Sequence, residues 1–395
     1  MGGPADVAPL ILALKRARSA GVIDLDVSQT QSVYPNGAVP MAAAIDFFRQ
    51  QGLRITARQV NKGVARVRVL DPVSATQRNL QEYPITNLVW RYSDHRELDS
   101  LCLAFVREIE DNAVCGTGVI DAIFWCISEV LDNVLQHSKA GRGFTMLQIH
   151  RQNRRCAIAI SDGGIGIRKS FSEGGVHSAK DDYEAIKKAV QEGVTSKTKN
   201  MGNGLYGLMR IVGLNEGELE IRSGKGRMSF RDGKIVGEVS SGWPVLDDST
   251  NLGTTVDWQL DLSNPVSVAE ALGMRQPPPL IESLEDENDE HRVRVSELEE
   301  GLSTRKSGEQ IRTRLENYLN EGAPLIVLDF SEIRVVSSSF ADEVLGKLAL
   351  RMGLLGFVNR FRMENMSPTV QAIVNRALMQ RIQEGDDETP GARDS

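Results

Sequence analysis

Glu129 and Asn133 stand four residues apart in a stretch, Val119 to His137, whose apolar residues recur at helical spacing, so both side chains share one helix face, one turn apart. An amide oxygen is a suitable hard ligand for Mg²⁺, which keeps several waters and takes the rest of its shell from phosphates. A carboxylate one turn away can orient an attacking water or hydroxyl. The same pair also suits an ordinary exposed helix. Further on, Asp162 closes a strand-like run (156–161, CAIAIS) and is followed by Gly163, Gly164 and Gly166. Glycines there let backbone pass close to a ligand, and the carboxylate can accept a hydrogen bond from an adenine amino group. A tight turn after a strand is the plainer alternative.

A third cluster, Gly202, Gly204, Leu205 and Gly207, leads into a helical run from Leu205 to Val212. Free backbone N–H groups and the positive dipole end at a glycine-rich helix start make a phosphate cradle. Just upstream, Thr195, Ser196, Lys197, Thr198 and Lys199 supply hydroxyls and cations in a stretch with few apolar residues. They suit either a lid over phosphates or a solvated basic loop.

The elements that must position these residues are legible in outline. Two amphipathic helices, Glu97 to Glu110 and Val119 to His137, precede strand-like segments at 144–150, 156–161, 218–222, 227–230 and 254–260. This alternation predicts an α+β sandwich. Upstream, 21–28 (GVIDLDVS) reads as a buried strand, and a turn at Pro35-Asn36-Gly37 precedes a helix from Val39 to Gln50. Downstream, 325–331 (LIVLDFS) repeats that opening without gaps: Asp26 aligns with Asp329, Ser28 with Ser331, Val33 with Val336, and Pro35 with Ser338. One module used twice is one explanation, chance the other. The expected organisation is a module over 1–75, a central domain over 90–262, a linker over 263–292 marked by Pro277-Pro278-Pro279 and an acidic run, a second module over 293–383, and a disordered tail over 384–395.

Composition narrows the classes. With 46 Lys and Arg against 53 Asp and Glu, the net charge of −7 gives no general attraction to nucleic acid or anionic lipid. No apolar run approaches the roughly 20 residues of a membrane span, and the N-terminus lacks a signal pattern, so a cytoplasmic protein is expected. Cys102, Cys115, Cys126 and Cys156 form no CxxC pair and read as reduced structural thiols. His95 reads as a surface or capping residue, and His137 as closing the last turn of its helix.

The ordered series Glu129-x-x-x-Asn133, Asp162-x-Gly164-x-Gly166, Gly202-x-Gly204-x-x-Gly207 and Gly253-Thr254 before a strand resembles the GHKL superfamily of ATP-binding domains, shared by gyrase, Hsp90, MutL and the histidine kinases. The resemblance spans roughly 95–262 and implies a Bergerat-type fold. In it Glu129 would be the general base, Asn133 the Mg²⁺ ligand and Asp162 the adenine reader, with Thr254 supporting that contact. Gly164, Gly166, Ser196, Lys197, Gly202, Gly204, Leu205 and Gly207 would complete the ATP cradle. Thr195-Ser196-Lys197 is similar to the lid of MutL-like members; the phosphoacceptor context of histidine kinases is missing around His95.

The flanking segments resemble STAS domains. In STAS anti-sigma-factor antagonists a GHKL-type kinase phosphorylates a serine in an Asp-Ser-Ser-Gly turn. Ser338 holds that position here, but Ser337 replaces the Asp and Phe340 the Gly. Ser338 also suits a plain N-cap, worth about 1 kcal/mol. Three functions follow as expectations: an ATP-driven regulatory switch acting on a protein partner through STAS-like domains, a serine kinase acting on Ser338 or on a partner, and a non-catalytic scaffold stabilised by nucleotide. The resemblance further implies a homodimer.

Overall fold

The computed structural model describes residues 4–27, 30, 32–58, 62–175, 178–191, 204–247, 251–273, 290–297, 302, 304–320 and 325–387. The chain forms two compact units, Met1–Val266 and Ser267–Ser395.

In chain order the first unit contains α1 (Pro4–Ala17), β1 (Val22–Asp26), α2 (Pro35–Gln50), β2 (Arg54–Arg58), α3 (Lys62–Val67), β3 (Val73–Ser74), α4 (Gln77–Glu82), β4 (Trp90–Tyr92), α5 (His95–Asn112) and α6 (Val119–His137). It continues with β5 (Gly143–His150), β6 (Arg155–Asp162), α7 (Gly166–Gly174), α8 (Asp182–Ala189), α9 (Gly204–Leu214), β7 (Glu218–Ser223), β8 (Gly226–Arg231), β9 (Lys234–Val239) and β10 (Thr254–Asp261). Eight strands make one sheet in the order β3-β4-β5-β6-β10-β7-β8-β9.

Strand alternation gives that sheet two different faces. The front face carries Leu147, Ile158, Ile160, Val256, Trp258 and Leu260, all buried. The back face carries Phe144, Met146 and Ala159, which share a core with Ala38, Met41, Ile45 and Phe48 of α2. Sequence reading expects 1–75 as a module of its own; the structure instead places that segment in the first unit. The reason is composition: α2 is apolar around most of its circumference, and a helix of that kind needs more than one covered face.

The second unit holds α10 (Val268–Ala271), β11 (Glu290–Arg294), α11 (Arg305–Asn320), β12 (Leu325–Asp329), α12 (Ser338–Ala341), α13 (Lys347–Met352), α14 (Leu354–Arg360), β13 (Phe361–Glu364) and α15 (Pro368–Asp387). A π-helical stretch, Asp342–Gly346, joins α12 to α13. Its three strands are parallel, in the order β11-β12-β13. The aligned openings keep their local order: β1 and β12 end at Asp26 and Asp329, and α2 and α12 begin at Pro35 and Ser338. Two boundaries differ from expectation. β11 starts inside the segment read as linker, and α15 runs to Asp387, past the start of the expected disordered tail.

Candidate functional site

Helix α6 has the limits that its apolar spacing predicts. It buries Glu129 (9% exposed) and Asp132 (4%) and leaves Asn133 half-buried. Gly204, the first residue of α9, abuts this face. A Cβ there would stand 2.9 Å from Glu129 Oε2 and 3.3 Å from Asn133 Nδ2. Glycine here lets the N-terminus of α9, the positive end of its dipole, come near the acid and the amide without displacing the Glu129 carboxylate.

Asp162 ends β6 on the front face, and Thr254 lies opposite it in the antiparallel pairing with β10. Asp162 Oδ1 accepts the Gly164 N–H at 2.8 Å, which curls the following loop. That loop is pinned from three sides: Ile165 N–H donates to Ser138 O at 2.9 Å, Gly253 N–H to Gly164 O at 2.9 Å, and Asn251 Nδ2 to Gly163 O at 2.8 Å. A Cβ on Gly164 would fall 2.1 Å from Ser138 O, so no larger residue fits. Gly166 has φ +77°, a left-handed conformation that glycine adopts without strain. Ser223 Oγ accepts the Ile167 N–H at 2.8 Å and lies 3.1 Å from Thr254 Oγ1, tying the start of α7 to β10.

One cavity, about 790 Å³ with its open mouth, collects these parts. Asn133, Asp162, Gly166, Gly204, Leu205 and Thr254 line it, among the apolar side chains of Val130, Ile160, Ile167 and Val256. Burial pushes the Asp162 carboxyl up to about 7, against the opposing pull of the Gly164 N–H. Glu129 lies behind Gly204, Gly164 supports the loop from outside the cavity, and Gly207 is buried within α9. Ser196, Lys197 and Gly202 lie outside the described residues, and Ser338 belongs to the second unit.

Sequence reading missed several neighbours. Ser138, Ser170 and Phe171 line the cavity, and Ser223 braces it. Short α7 and α8 carry no long periodic pattern, and serine spacing gives no signal. One histidine needs correction. His137 ends α6, as expected, and also lines the cavity. His95 does not cap α5, because Asp94 does so by accepting the Glu97 N–H at 2.9 Å. His95 Nε2 instead approaches Asp132 Oδ1 at 3.4 Å.

All four cysteines are free, and burial raises their thiol pKa values, Cys156 up to about 12. Such thiols are poor nucleophiles. Among the described residues no cluster of His, Cys, Asp and Glu is placed to hold a metal, and no helix is long and apolar enough to cross a membrane.

Residues 118–263 match the family described as histidine kinase-, DNA gyrase B- and HSP90-like ATPase, and residues 307–371 match a STAS-like domain of unknown function. No protein of curated function matches the chain. Among solved structures, the ATPase region of Saccharomyces cerevisiae topoisomerase II is similar over 39% of this chain and 40% of its own length, at 12% identity and a TM-score of 0.22. This chain therefore carries a GHKL-type ATP-binding domain of α+β fold at 118–263 and a STAS-like domain at 307–371.

Proposed function

We propose that the first unit binds Mg-ATP and hydrolyses it slowly, as a nucleotide-dependent switch that acts on a protein partner through the STAS-like domain. The observation that carries this reading is the contact at Gly204, which sets the anion-attracting end of α9 against Glu129 and Asn133. The cavity suits a purine: its walls are apolar, with one acid, Asp162, at its depth. An N–H donor arriving there would favour the ionised carboxylate and offset the cost of its burial.

The donor set also fits Mg²⁺. The Asn133 side chain offers an amide oxygen from the same helix face as Glu129, and phosphates and water would fill the remaining positions. Such an ion neutralises charge on the phosphates when bound. Glu129 orients the attacking water and takes its proton. Thr254, held by Ser223, fixes the strand opposite Asp162. In this reading Ser196 and Lys197 close over the phosphates, Gly202 joins the cradle, and the working species is a homodimer.

ATP labelled at the γ-phosphate tests the proposal. Glu129→Ala should lower phosphate release at least about 100-fold, the usual contribution of a positioned general base, while ATP binding persists. Turnover at the wild-type rate in that variant would remove Glu129 from the mechanism. Label appearing on Ser338 instead of as free phosphate, and vanishing in Ser338→Ala, would replace hydrolysis with serine-kinase activity.

A further inference from the structure

The two edges of the eight-stranded sheet are built differently. One edge, β3, is two residues long, which leaves little for another strand to pair with. The other, β9, runs for six residues and carries Ile235, Val236 and Val239 at 48%, 67% and 45% exposure. It holds no proline, and its pairing with β8 is unbroken by a bulge. Among the described residues nothing pairs with its outer side. A long apolar edge of this kind is a template for a further strand.

The hairpin tells which backbone groups of β9 are free. Asp232 and Gly233, with φ of +52° and +70°, form a two-residue turn, so the flanking residues Arg231 and Lys234 exchange hydrogen bonds. Hydrogen-bonded and non-hydrogen-bonded pairs alternate along an antiparallel ladder. Lys234, Val236 and Glu238 therefore turn their N–H and C=O groups to β8, and Ile235, Gly237 and Val239 turn theirs outward. Side chains alternate as well. Ile235, Gly237 and Val239 continue the front face of the sheet, whereas Lys234, Val236 and Glu238 lie on the back face in the order cation, apolar, anion.

That order is complementary to itself when reversed. A twofold axis perpendicular to the sheet keeps every side chain on its own face, so it must pass through a residue, and Ile235, Val236 and Gly237 are the central choices. About Val236, Lys234 falls opposite Glu238 of the partner subunit at both ends of the contact, with Val236 against the partner's Val236 between them. The outward groups of Ile235 then meet those of the partner's Gly237. On the front face Tyr183 packs so close beneath Gly237 that a Cβ there would collide with its ring, which leaves room beside the glycine for an isoleucine from across the axis. Either neighbouring choice of axis sets a charge against Val236.

We propose that β9 pairs antiparallel with β9 of a second copy, in register about Val236, and so joins two eight-stranded sheets into one. The homodimer of the proposed function gains an interface, and the inference rests on that reading for the dimer alone. Sedimentation of the full chain over a concentration series tests it, with ATP binding measured on the same samples to show that each variant is folded. The wild-type chain should dimerise reversibly. Lys234→Glu and Glu238→Lys each set like charges opposite one another at both ends of the contact, and each should raise the dimer Kd about 10-fold. An equimolar mixture of these two single variants should recover the wild-type affinity, because every Glu of one strand then faces a Lys of the other; so should both substitutions in one chain. A chain that stays monomeric at all concentrations would overturn the proposal. So would a dimer indifferent to both reversals, or a mixture that associates no more tightly than its components. Because mass is what is read, absence of ATP turnover would sink the hydrolytic switch and leave this interface standing.

Discussion

The two units bury acids in opposite ways. In the second, Asp342 and Glu343, 0% and 1% exposed, open the π-helical stretch with cations already in place. Arg381 donates from Nε to Asp342 Oδ1 at 2.6 Å and through a second nitrogen to Oδ2 at 2.8 Å, while Arg305 reaches both acids at 3.2 Å. Lys347 donates to Glu343 at 2.7 Å, and Arg312 also pairs with it. In the first unit Asp162 is 5% exposed, accepts a backbone N–H from Gly164, and has no cation among the described residues offsetting its burial. A carboxylate saturated by guanidinium groups holds helices together and has little left to offer a ligand. A carboxyl at a cavity wall, raised to about 7, keeps its capacity for whatever enters.

The sharpest way to break this contrast is to remove the cation where one is present. Arg381→Met leaves Asp342, at zero exposure, with Arg305 as its remaining cation and should destabilise the second unit by up to about 3–5 kcal/mol in denaturant titration, with ATP binding intact. Pairing it with Asp342→Leu should recover most of that loss, because an apolar pair of similar volume replaces a buried ion pair at little cost. A loss below about 1 kcal/mol for Arg381→Met would mean that Arg305 alone neutralises Asp342.

At Asp162 the same logic predicts the opposite sign. Asp162→Asn removes a charge that burial disfavours, so nucleotide-free protein at pH 8 should gain roughly 1–3 kcal/mol, while ATP affinity falls at least about 10-fold. Stability and binding moving together would contradict the assignment. The pH dependence follows. With the carboxyl near 3.8 when unfolded and about 7 when folded, its favourable contribution is complete below pH 4 and lost as pH rises through 7. Asp99 and Asp257, both raised to about 7, act in the same direction. The Tm of nucleotide-free protein should therefore fall between pH 5 and 8, less steeply in Asp162→Asn. ATP affinity should rise over the same interval as the carboxylate ionises.

How much of this was legible in the chain depended on how local the signal was. α6 carries a regular apolar period, so its limits were readable, and the glycines beside Asp162 and at the start of α9 announced close backbone approach. The burial of α2 against the large sheet was not readable, since an all-round apolar helix does not say which surface covers it. β9, α7 and α8 were too short or too polar to show a period. The polar row on the back face was invisible for a deeper reason. Gln148, Ala157 and Gln259 lie far apart in sequence, and only the strand register of β5, β6 and β10 sets them side by side.

The smallest effect separates two adjacent serines and moves the comparison from charged to neutral partners. Sequence reading gives Ser338 the helix cap; in the structure Ser337 Oγ accepts the Phe340 N–H at 3.0 Å, and Ser338 is the first helical residue. Ser337 is 1% exposed and its own N–H donates to Leu302 O at 3.1 Å, so truncation uncovers an orphan N–H in a place that water does not reach. Ser337→Ala should cost about 1 kcal/mol, against the larger loss expected for the paired acids, and more than Ser338→Ala, which leaves the cap in place. Thermal denaturation of the two variants measures the difference, and the reverse order would return the cap to Ser338. Because the cap rests on Ser337, a charge added at Ser338 leaves that cap in place and meets the positive end of the helix dipole; Ser338→Asp should therefore destabilise less than Ser337→Asp.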